Sequence, residues 1–135
     1  MNTKYEALIK EAICAREMSY SLYSKYKVGA SLLCDNGKIY RGANIENSSY
    51  SEAVCAERVA FLSAINNGER NFKAISVVGG VSEINDFAYP CGSCRQVMSE
   101  FCNGDFEIVL YNGKEVKIYT LNELLPNSFS KENIK

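Results

Sequence analysis

The chain has 135 residues, of which 47% are apolar and 23% are charged, a composition typical of a globular domain. Fifteen Lys and Arg stand against 16 Asp and Glu, so the net charge of −1 argues against a protein whose main role is to bind duplex nucleic acid. The sequence contains no His, which excludes Ser-His-Asp and Cys-His catalysis and every imidazole metal site. Any zinc must therefore be held by thiolates or carboxylates.

The length predicts one domain over residues 1–135. No apolar run is long enough to cross a membrane, and charged residues interrupt the N-terminal segment, so neither a membrane span nor a signal peptide is expected. The sequence thus predicts a cytoplasmic protein. Six cysteines in that compartment are expected to be reduced, which favours metal or thiol chemistry over disulfides.

The first third of the chain reads as one helix and a hairpin. A capping box at Thr3–Glu6 and an apolar stripe at helical spacing predict the first helix. A polar, tyrosine-rich loop is predicted at 19–27. Two short strands follow at Val28–Cys34 and Lys38–Ala43, joined by the turn Asp35-Asn36-Gly37.

The middle of the chain alternates helix, strand and helix. Apolar spacing predicts a helix over Cys55–Ile65 that ends at Asn67-Gly68. Phe72–Gly80 is predicted to be a buried strand. A helix from about Ser93 to Cys102 follows Pro90.

The last part of the chain predicts a second hairpin. Asn112-Gly113 separates strands at Phe106–Tyr111 and Val116–Thr120, so the fourth and fifth strands should be antiparallel neighbours. A short helix is predicted at Leu121–Leu125, and the polar tail at 130–135 is expected to fray. The order of elements predicts a three-layer α/β/α fold around a five-stranded mixed sheet.

Three cysteines fall at predicted helix starts. Cys55 stands two residues before Glu57, and Cys91 and Cys94 form a Cys-x-x-Cys pair after Pro90. Cys-x-x-Cys places two sulfurs on one metal, and three protein ligands with an open fourth position describe a catalytic zinc. The other three cysteines are expected to serve the core or to lie too far along a helix to share the metal.

Charged residues directly beside these cysteines have two possible roles each. Glu57 is either a first-turn carboxylate that complements the helix dipole or the group that exchanges protons with a metal-activated water; beside three thiolates we favour the second. Arg58 and Arg95 are either solvated surface residues or hydrogen-bond donors to the thiolates. Donors would offset the net charge of −1 that three thiolates give a zinc site.

The Cys55-Ala56-Glu57 and Pro90-Cys91-Gly92-Ser93-Cys94 pattern is an established description of zinc nucleobase deaminases. The chain closely resembles the small homotetrameric cytidine deaminases over nearly its whole length. The blocks that carry the resemblance are Tyr23-Ser24-Lys25-Tyr26 with Val28-Gly29-Ala30, Gly42 to Asn47, Cys55-Ala56-Glu57-Arg58, Pro90 to Gln96 and Glu123-Leu124-Leu125-Pro126.

The resemblance implies a set of substrate contacts. Asn44 and Glu46 should bind the 3′-hydroxyl of the ribose, and the main chain at Ala56 should bind the pyrimidine edge. Tyr26 stands where many relatives have Phe, which leaves open whether it packs on the ligand or uses its hydroxyl. The implied fold is that of the cytidine deaminases, with one zinc ion per subunit.

The resemblance also implies an assembly and a reaction. Phe129 matches an aromatic that stacks on the base from a neighbouring subunit, and Tyr50 is a further candidate for such a contact. A homotetramer with shared active sites is therefore expected. The implied activity is hydrolytic deamination of cytidine and 2′-deoxycytidine in pyrimidine salvage, with a nucleoside as partner and no nucleic acid or membrane.

Two other functions remain open at this point. One is deamination of another small substrate such as blasticidin S, against which the intact Asn44-Ile45-Glu46-Asn47 block argues. The other is a non-catalytic zinc or thiol-redox module, against which Glu57 and the third thiolate argue. Polynucleotide-editing deaminases are disfavoured because Asn112-Gly113 predicts a hairpin where those proteins have a helix.

Overall fold

The computed structural model describes residues 3–134, so the first two residues of the predicted domain and the last residue of the predicted tail lie outside it. The helices are α1 (Glu6–Arg16), α2 (Ala56–Asn66), α3 (Gly92–Phe101) and α4 (Leu121–Leu124). The strands are β1 (Lys27–Cys34), β2 (Ile39–Ala43), β3 (Phe72–Gly80), β4 (Glu107–Tyr111) and β5 (Val116–Thr120). Short 3₁₀ turns lie at Tyr50–Glu52 and Lys131–Asn133.

The five strands form one mixed sheet in the order β2-β1-β3-β4-β5. β1 is antiparallel to both β2 and β3, whereas β3 and β4 are parallel and are connected through α3. β4 and β5 are antiparallel across the Asn112-Gly113 turn, in which Gly113 has a φ of +98°. The predicted mixed sheet and its antiparallel last pair are thus confirmed.

Helices cover both faces of the sheet. Tyr5, Leu8 and Ile9 of the α1 segment pack on one face, against Ala74 of β3 and Val109 of β4. The opposite face carries the larger part of the core, which α2, α3 and α4 build against the inner side chains of β1, β3 and β4. This arrangement is the three-layer α/β/α fold predicted from the order of elements.

The start of α1 differs from the prediction. The N-cap is Tyr5 without a side-chain cap, and Thr3 Oγ1 accepts only the Tyr5 amide at 3.3 Å. Tyr5 is buried, and its hydroxyl donates to Glu107 on β4. Burial of Tyr5 against the sheet therefore determines where α1 begins. The capping box predicted at Thr3–Glu6 is absent.

The C-terminal segment is more ordered than the sequence suggests. Ser130 caps the 3₁₀ turn Lys131–Asn133, and its amide donates to Asn133 Oδ1 at 2.8 Å. The described part of the predicted tail thus forms a capped turn.

Close packing at Gly42 positions the helix that follows. A side chain at this β2 residue would overlap the carbonyl group of Ala56 and approach the Ala60 amide at 2.5 Å. Only glycine lets the first turn of α2 lie this close to the sheet. Within residues 3–134, no helix is long and apolar enough to cross a membrane.

Candidate active site

The three predicted thiols meet at one edge of the sheet. The Sγ atoms of Cys55 and Cys91 are 3.9 Å apart, those of Cys91 and Cys94 are 3.5 Å apart, and all three lie within 4.8 Å of one another. A tetrahedral zinc with Zn–S bonds of about 2.3 Å requires sulfur–sulfur separations of about 3.8 Å. The three thiols therefore fit a zinc ion in spacing and in chemistry.

Helix N-termini position these ligands. Cys55 is the N-cap of α2 with a ψ of 151°, and Cys91 is the N-cap of α3 with a ψ of 167°. Cys94 lies in the first turn of α3. The extended backbone at both N-caps places each sulfur beyond the start of its helix, where the positive ends of two helix dipoles meet the metal ligands.

Arg58 supports the thiolate form of the ligands. Its Nη2 donates to Cys55 Sγ at 3.8 Å, and its buried Nε has no acceptor within the described residues. Hydrogen bonds from the Cys94 thiol and from Arg58 lower the pKa of Cys55 to about 5. Arg58 thus lies where an added donor can withdraw charge from a thiolate-rich metal site.

Arg95 does not contact the sulfurs. Its Nε donates to the carbonyl of Pro90 at 2.7 Å, and its Nη1 donates to the carbonyl of Leu124 at 2.7 Å. The backbone carbonyls on either side of α3 satisfy this guanidinium, so the role as a thiolate donor considered for Arg95 is corrected. Arg95 instead ties the segment before Cys91 to the end of α4.

Glu57 is buried in the first turn of α2, with 5% of its surface exposed. Burial raises the pKa of Glu57 to about 7, and the charge of Cys55 acts in the same direction. A carboxyl group with such a pKa exchanges protons readily near neutral pH. Its position two residues after Cys55 keeps it the candidate for the acid–base group of the site.

A cavity of about 420 Å³ opens beside the thiols and Glu57. Most of the predicted substrate residues line it: Tyr26, Asn44, Glu46, Ala56 and, with them, Cys55, Glu57 and Cys91. Such a volume is suited to a small molecule of nucleoside size. The structure thus brings Glu57, two of the thiols and the ribose-binding candidates to one cavity.

Asn44 and Glu46 hold the loop before β1. Asn44 Oδ1 accepts from Ser19 and from the Val28 amide, and its Nδ2 donates to the Tyr26 carbonyl at 2.8 Å. Because an amide nitrogen carries two hydrogens, one donor of Asn44 remains for a ligand.

Glu46 is a preformed acceptor. It accepts the amides of Tyr23 and Ser24 at 2.9 and 3.0 Å and the Ser24 hydroxyl. These hydrogen bonds, above all that from Ser24, hold the pKa of Glu46 below its ordinary range, so it is ionised at neutral pH.

Two aromatic candidates lie outside this cavity. Tyr50 lines a neighbouring hollow with Glu46 and Ser24, and its ring contacts that of Tyr23 at a centroid distance of 6.0 Å. Phe129 is 64% exposed, and Gln96 Nε2 donates to its carbonyl at 2.9 Å. Neither residue is among those that line the cavity beside Glu57.

The sequence did not identify several residues that line the cavity, namely Ser24, Val28, Val77, Phe87, Ala88 and Tyr89. Most are apolar or aromatic, and such side chains give the same sequence pattern in a core as in a cavity wall. Ser24 could have been identified from the sequence, because it belongs to the Tyr23-Ser24-Lys25-Tyr26 block that carries the family resemblance.

Comparison with known proteins identifies the family of this arrangement. Residues 2–110 match the family model described as "cytidine and deoxycytidylate deaminase zinc-binding region". A cytidine deaminase of Sporosarcina psychrophila is 49% identical over 96% of this chain and 93% of its own length. The crystal structure of a cytidine deaminase from Burkholderia pseudomallei superposes with a TM-score of 0.87 at 44% identity, covering 94% of this chain and all of that one.

A more distant relative bears on the alternatives. A blasticidin-S deaminase of Bacillus cereus is 33% identical over 80% of this chain and 80% of its own length.

All three thiols lie inside the range matched to the zinc-binding region. Zinc is therefore the metal cofactor, and the cluster of Cys55, Cys91 and Cys94 is able to hold it.

Proposed function

This chain belongs to the cytidine and deoxycytidylate deaminase family, and from that membership we propose that it hydrolyses cytidine and 2′-deoxycytidine to uridine and 2′-deoxyuridine with release of ammonia. The observation that carries the proposal is the meeting of three thiols with the buried Glu57 at one cavity. A non-catalytic zinc module has no need of a buried carboxyl group with a pKa of about 7 at such a place.

Cys55, Cys91 and Cys94 would hold one zinc ion per subunit, which when bound supplies the Lewis acid that lowers the pKa of a water molecule. The protein must offset the charge of three thiolates. Two helix N-termini, each equivalent to roughly +0.5 charge, together with the Arg58 guanidinium lie on the metal-facing side to do so.

Glu57 moves the protons in the proposed reaction. As the water oxygen bonds to C4, Glu57 accepts a proton from the water and delivers it to N3 of the pyrimidine. It then takes the remaining proton from the C4 hydroxyl and gives it to the amino group, so that the C4–N bond breaks, ammonia leaves and C4 becomes a carbonyl. One group can serve in both directions because burial brings its pKa to about 7.

The ribose would be held through its 3′-hydroxyl. Ionised Glu46 accepts a hydrogen bond, and the remaining N–H of Asn44 donates one. Ala56 lines the same cavity, and its main chain would bind the pyrimidine edge. Recognition through the 3′-hydroxyl, which both nucleosides carry, is the reason to expect both as substrates.

We further propose a homotetramer in which subunits complete each other's sites. Exposed apolar side chains support an interface, among them Met18 (78% exposed), Ile45 and Leu62 (57% exposed). Phe129 and Tyr50 are likewise exposed, and neither lines the cavity beside Glu57. In the assembly they would contact the nucleoside of a neighbouring subunit.

Pyrimidine salvage in the cytoplasm is the proposed setting. All six cysteines are free thiols, as a reducing compartment favours. The balanced charge supports a small nucleoside as partner, with neither a nucleic acid nor a membrane.

A single experiment tests the proposal. Purified protein is analysed for zinc, and the ultraviolet absorbance of cytidine, 2′-deoxycytidine and blasticidin S is followed in parallel. Turnover of both nucleosides by protein with about one zinc per chain is expected. Turnover of blasticidin S alone would assign the chain to the function of its Bacillus cereus relative, and zinc without any turnover would indicate the non-catalytic module.

A further inference from the structure

The sheet carries a gap beside the cavity at Gly79. Side chains alternate along a strand, so Ile75, Val77 and Gly79 share the face of β3 that packs under α2 and α3. Val77 lines the cavity. The next position on that face is Gly79, which has no side chain to continue the wall.

The ring of Tyr26 occupies this gap. A β-carbon at Gly79 would lie 3.0 Å from the Tyr26 hydroxyl oxygen, 3.2 Å from Cε2 of the same ring and 3.0 Å from Ala88 Cβ. Gly79 is not among the glycines with positive φ, which are Gly37, Gly68 and Gly113. The backbone therefore does not require glycine here, and the reason for it is space.

Tyr26 lines the cavity, and its backbone is held by two hydrogen bonds. Its amide donates to Ser24 Oγ at 3.0 Å, and its carbonyl accepts from Asn44 Nδ2 at 2.8 Å. Both partners belong to the network that orients Glu46. A side chain at Gly79 would require the ring to shift by a few tenths of an ångström, and this ring borders the space that a ligand needs.

We propose that Gly79 is a positioning residue for Tyr26: by lacking a side chain it lets the tyrosine ring lie against the sheet, and this keeps the cavity wide enough for a pyrimidine ring. The inference rests on the proposed function, because it takes the cavity as the nucleoside site. The proposal also gives the Tyr26 hydroxyl a role: it packs in the space that a side chain at residue 79 would fill.

The test is a double-mutant cycle of Gly79→Ala and Tyr26→Phe, read as kcat and KM for cytidine. Gly79→Ala should raise KM about fivefold to tenfold and change kcat less, because a displaced ring competes with the bound base. In the double variant the phenol oxygen is gone. Its KM should return to within about twofold of that of Tyr26→Phe alone.

Controls separate this effect from a general loss of packing. Gly104→Ala places its new carbon 3.2 Å from the Asn122 side chain, outside the cavity, and should leave KM unchanged. Zinc content and melting temperature are measured for every variant. Rescue of Gly79→Ala by Ala88→Gly instead of by Tyr26→Phe would overturn the proposal in favour of a contact with Ala88.

The remaining outcomes also decide. A double variant as impaired as Gly79→Ala overturns the proposal. If Gly79→Ala does not fold, a folded double variant with the KM of Tyr26→Phe supports it, and an unfolded double variant overturns it. Wild-type protein without cytidine turnover would refute the proposed function itself, an outcome visible before any variant is made.

Discussion

Glu57 owes its chemistry to its place at the start of a buried helix. Two residues apart on a regular helix, side chains point to nearly opposite sides, yet Cys55 and Glu57 line the same cavity. The extended N-cap geometry of Cys55 removes this conflict, because only Glu57 lies inside the helix. The role proposed for Glu57 therefore depends on α2 beginning at Ala56.

Glu57→Gln should therefore remove proton transfer and leave the metal in place. General acid–base catalysis typically contributes a factor of about 10²–10⁴ to the rate. We therefore expect kcat for cytidine to fall by at least about 10²-fold. Steady-state kinetics and zinc analysis of the same preparation measure both quantities. Glu52→Gln, an exposed change in the 3₁₀ turn, is the matched control. A loss under tenfold would mean that Glu57 is only a helix-start residue.

Arg58→Ala should reduce turnover and weaken zinc binding without unfolding the domain. Removing a hydrogen-bond donor to a metal ligand typically reduces affinity or activity about 10-fold to 100-fold. Competition with a chromogenic chelator gives the zinc affinity. Arg41→Ala, which removes an exposed arginine paired with Glu11, should change neither quantity. Unchanged kinetics and zinc affinity in Arg58→Ala would leave Arg58 without a role at the metal.

At the level of single residues, the sequence predicted the metal ligands better than the residues that line the cavity. Thiols at ligand spacing in a reducing compartment are typical of a metal site, so Cys55, Cys91 and Cys94 were identifiable from the pattern. Asn44 and Glu46 became candidates only through family resemblance, because polar loop residues carry no signal of their own. Which acceptor Arg95 served was open from sequence, since an arginine reaches carbonyls and sulfurs equally well.

The N-terminal turn of α3 connects three parts of the fold. Cys94 belongs to the metal cluster, Arg95 bridges the carbonyls of Pro90 and Leu124, and Gln96 holds the carbonyl of Phe129. Consecutive residues of one helix thus link the ligand loop to the C-terminal segment. These contacts and the Ser130 cap hold the chain after Pro126.

Arg95→Ala should destabilise the domain more than it slows the chemistry. Each charged hydrogen bond to a carbonyl is worth about 1.5–3 kcal/mol, and two are lost. We expect a lower melting temperature with little change in kcat at temperatures where the variant is folded. Arg95→Lys, which can keep one of the two bonds, should lie between. A fall in kcat as large as that of Arg58→Ala, with unchanged melting temperature, would contradict the structural role.

Capping motifs mark the start of one helix but not of another. The capping box expected at Thr3 is absent because Tyr5 is drawn into the core. A complete capping box does form at α4, where Thr120 Oγ1 accepts the Glu123 amide at 3.2 Å and Glu123 accepts the Thr120 amide at 2.8 Å. Hairpin turns were more reliable, since Gly37 and Gly113 have the positive φ that their positions require.

On the scale of the whole molecule, the metal cluster joins elements that are far apart in sequence. Cys55 begins α2, whereas Cys91 and Cys94 begin α3 after the entire β3 strand. A metal ion bound to all three thiols would tie these two helix starts together. Zinc is therefore expected to contribute to folding stability as well as to catalysis.

Removal of zinc should abolish activity and lower the melting temperature. Three thiols within 4.8 Å of one another would lose the ion that holds them together, and two helix N-termini would lose a common anchor. Calorimetry before and after dialysis against a chelator measures the loss. Readdition of zinc should restore both stability and turnover, and full turnover by protein shown to contain no metal would refute the zinc assignment.

The proposed assembly makes the sharpest forecast, because Phe129 is exposed and would act on a neighbour's substrate. Stacking of an aromatic ring on a base is worth about 1–3 kcal/mol, so Phe129→Ala alone should weaken substrate binding.

In the decisive experiment, Glu57→Ala subunits are mixed and reassembled with Phe129→Ala subunits. If the ring acts across the interface, some sites combine Glu57 of one chain with Phe129 of its neighbour, and kcat/KM exceeds the average of the two separate variants. If Phe129 served its own chain, every site with Glu57 would still lack its ring, and strict averaging in mixtures shown by mass spectrometry to contain hybrid oligomers would defeat the shared site.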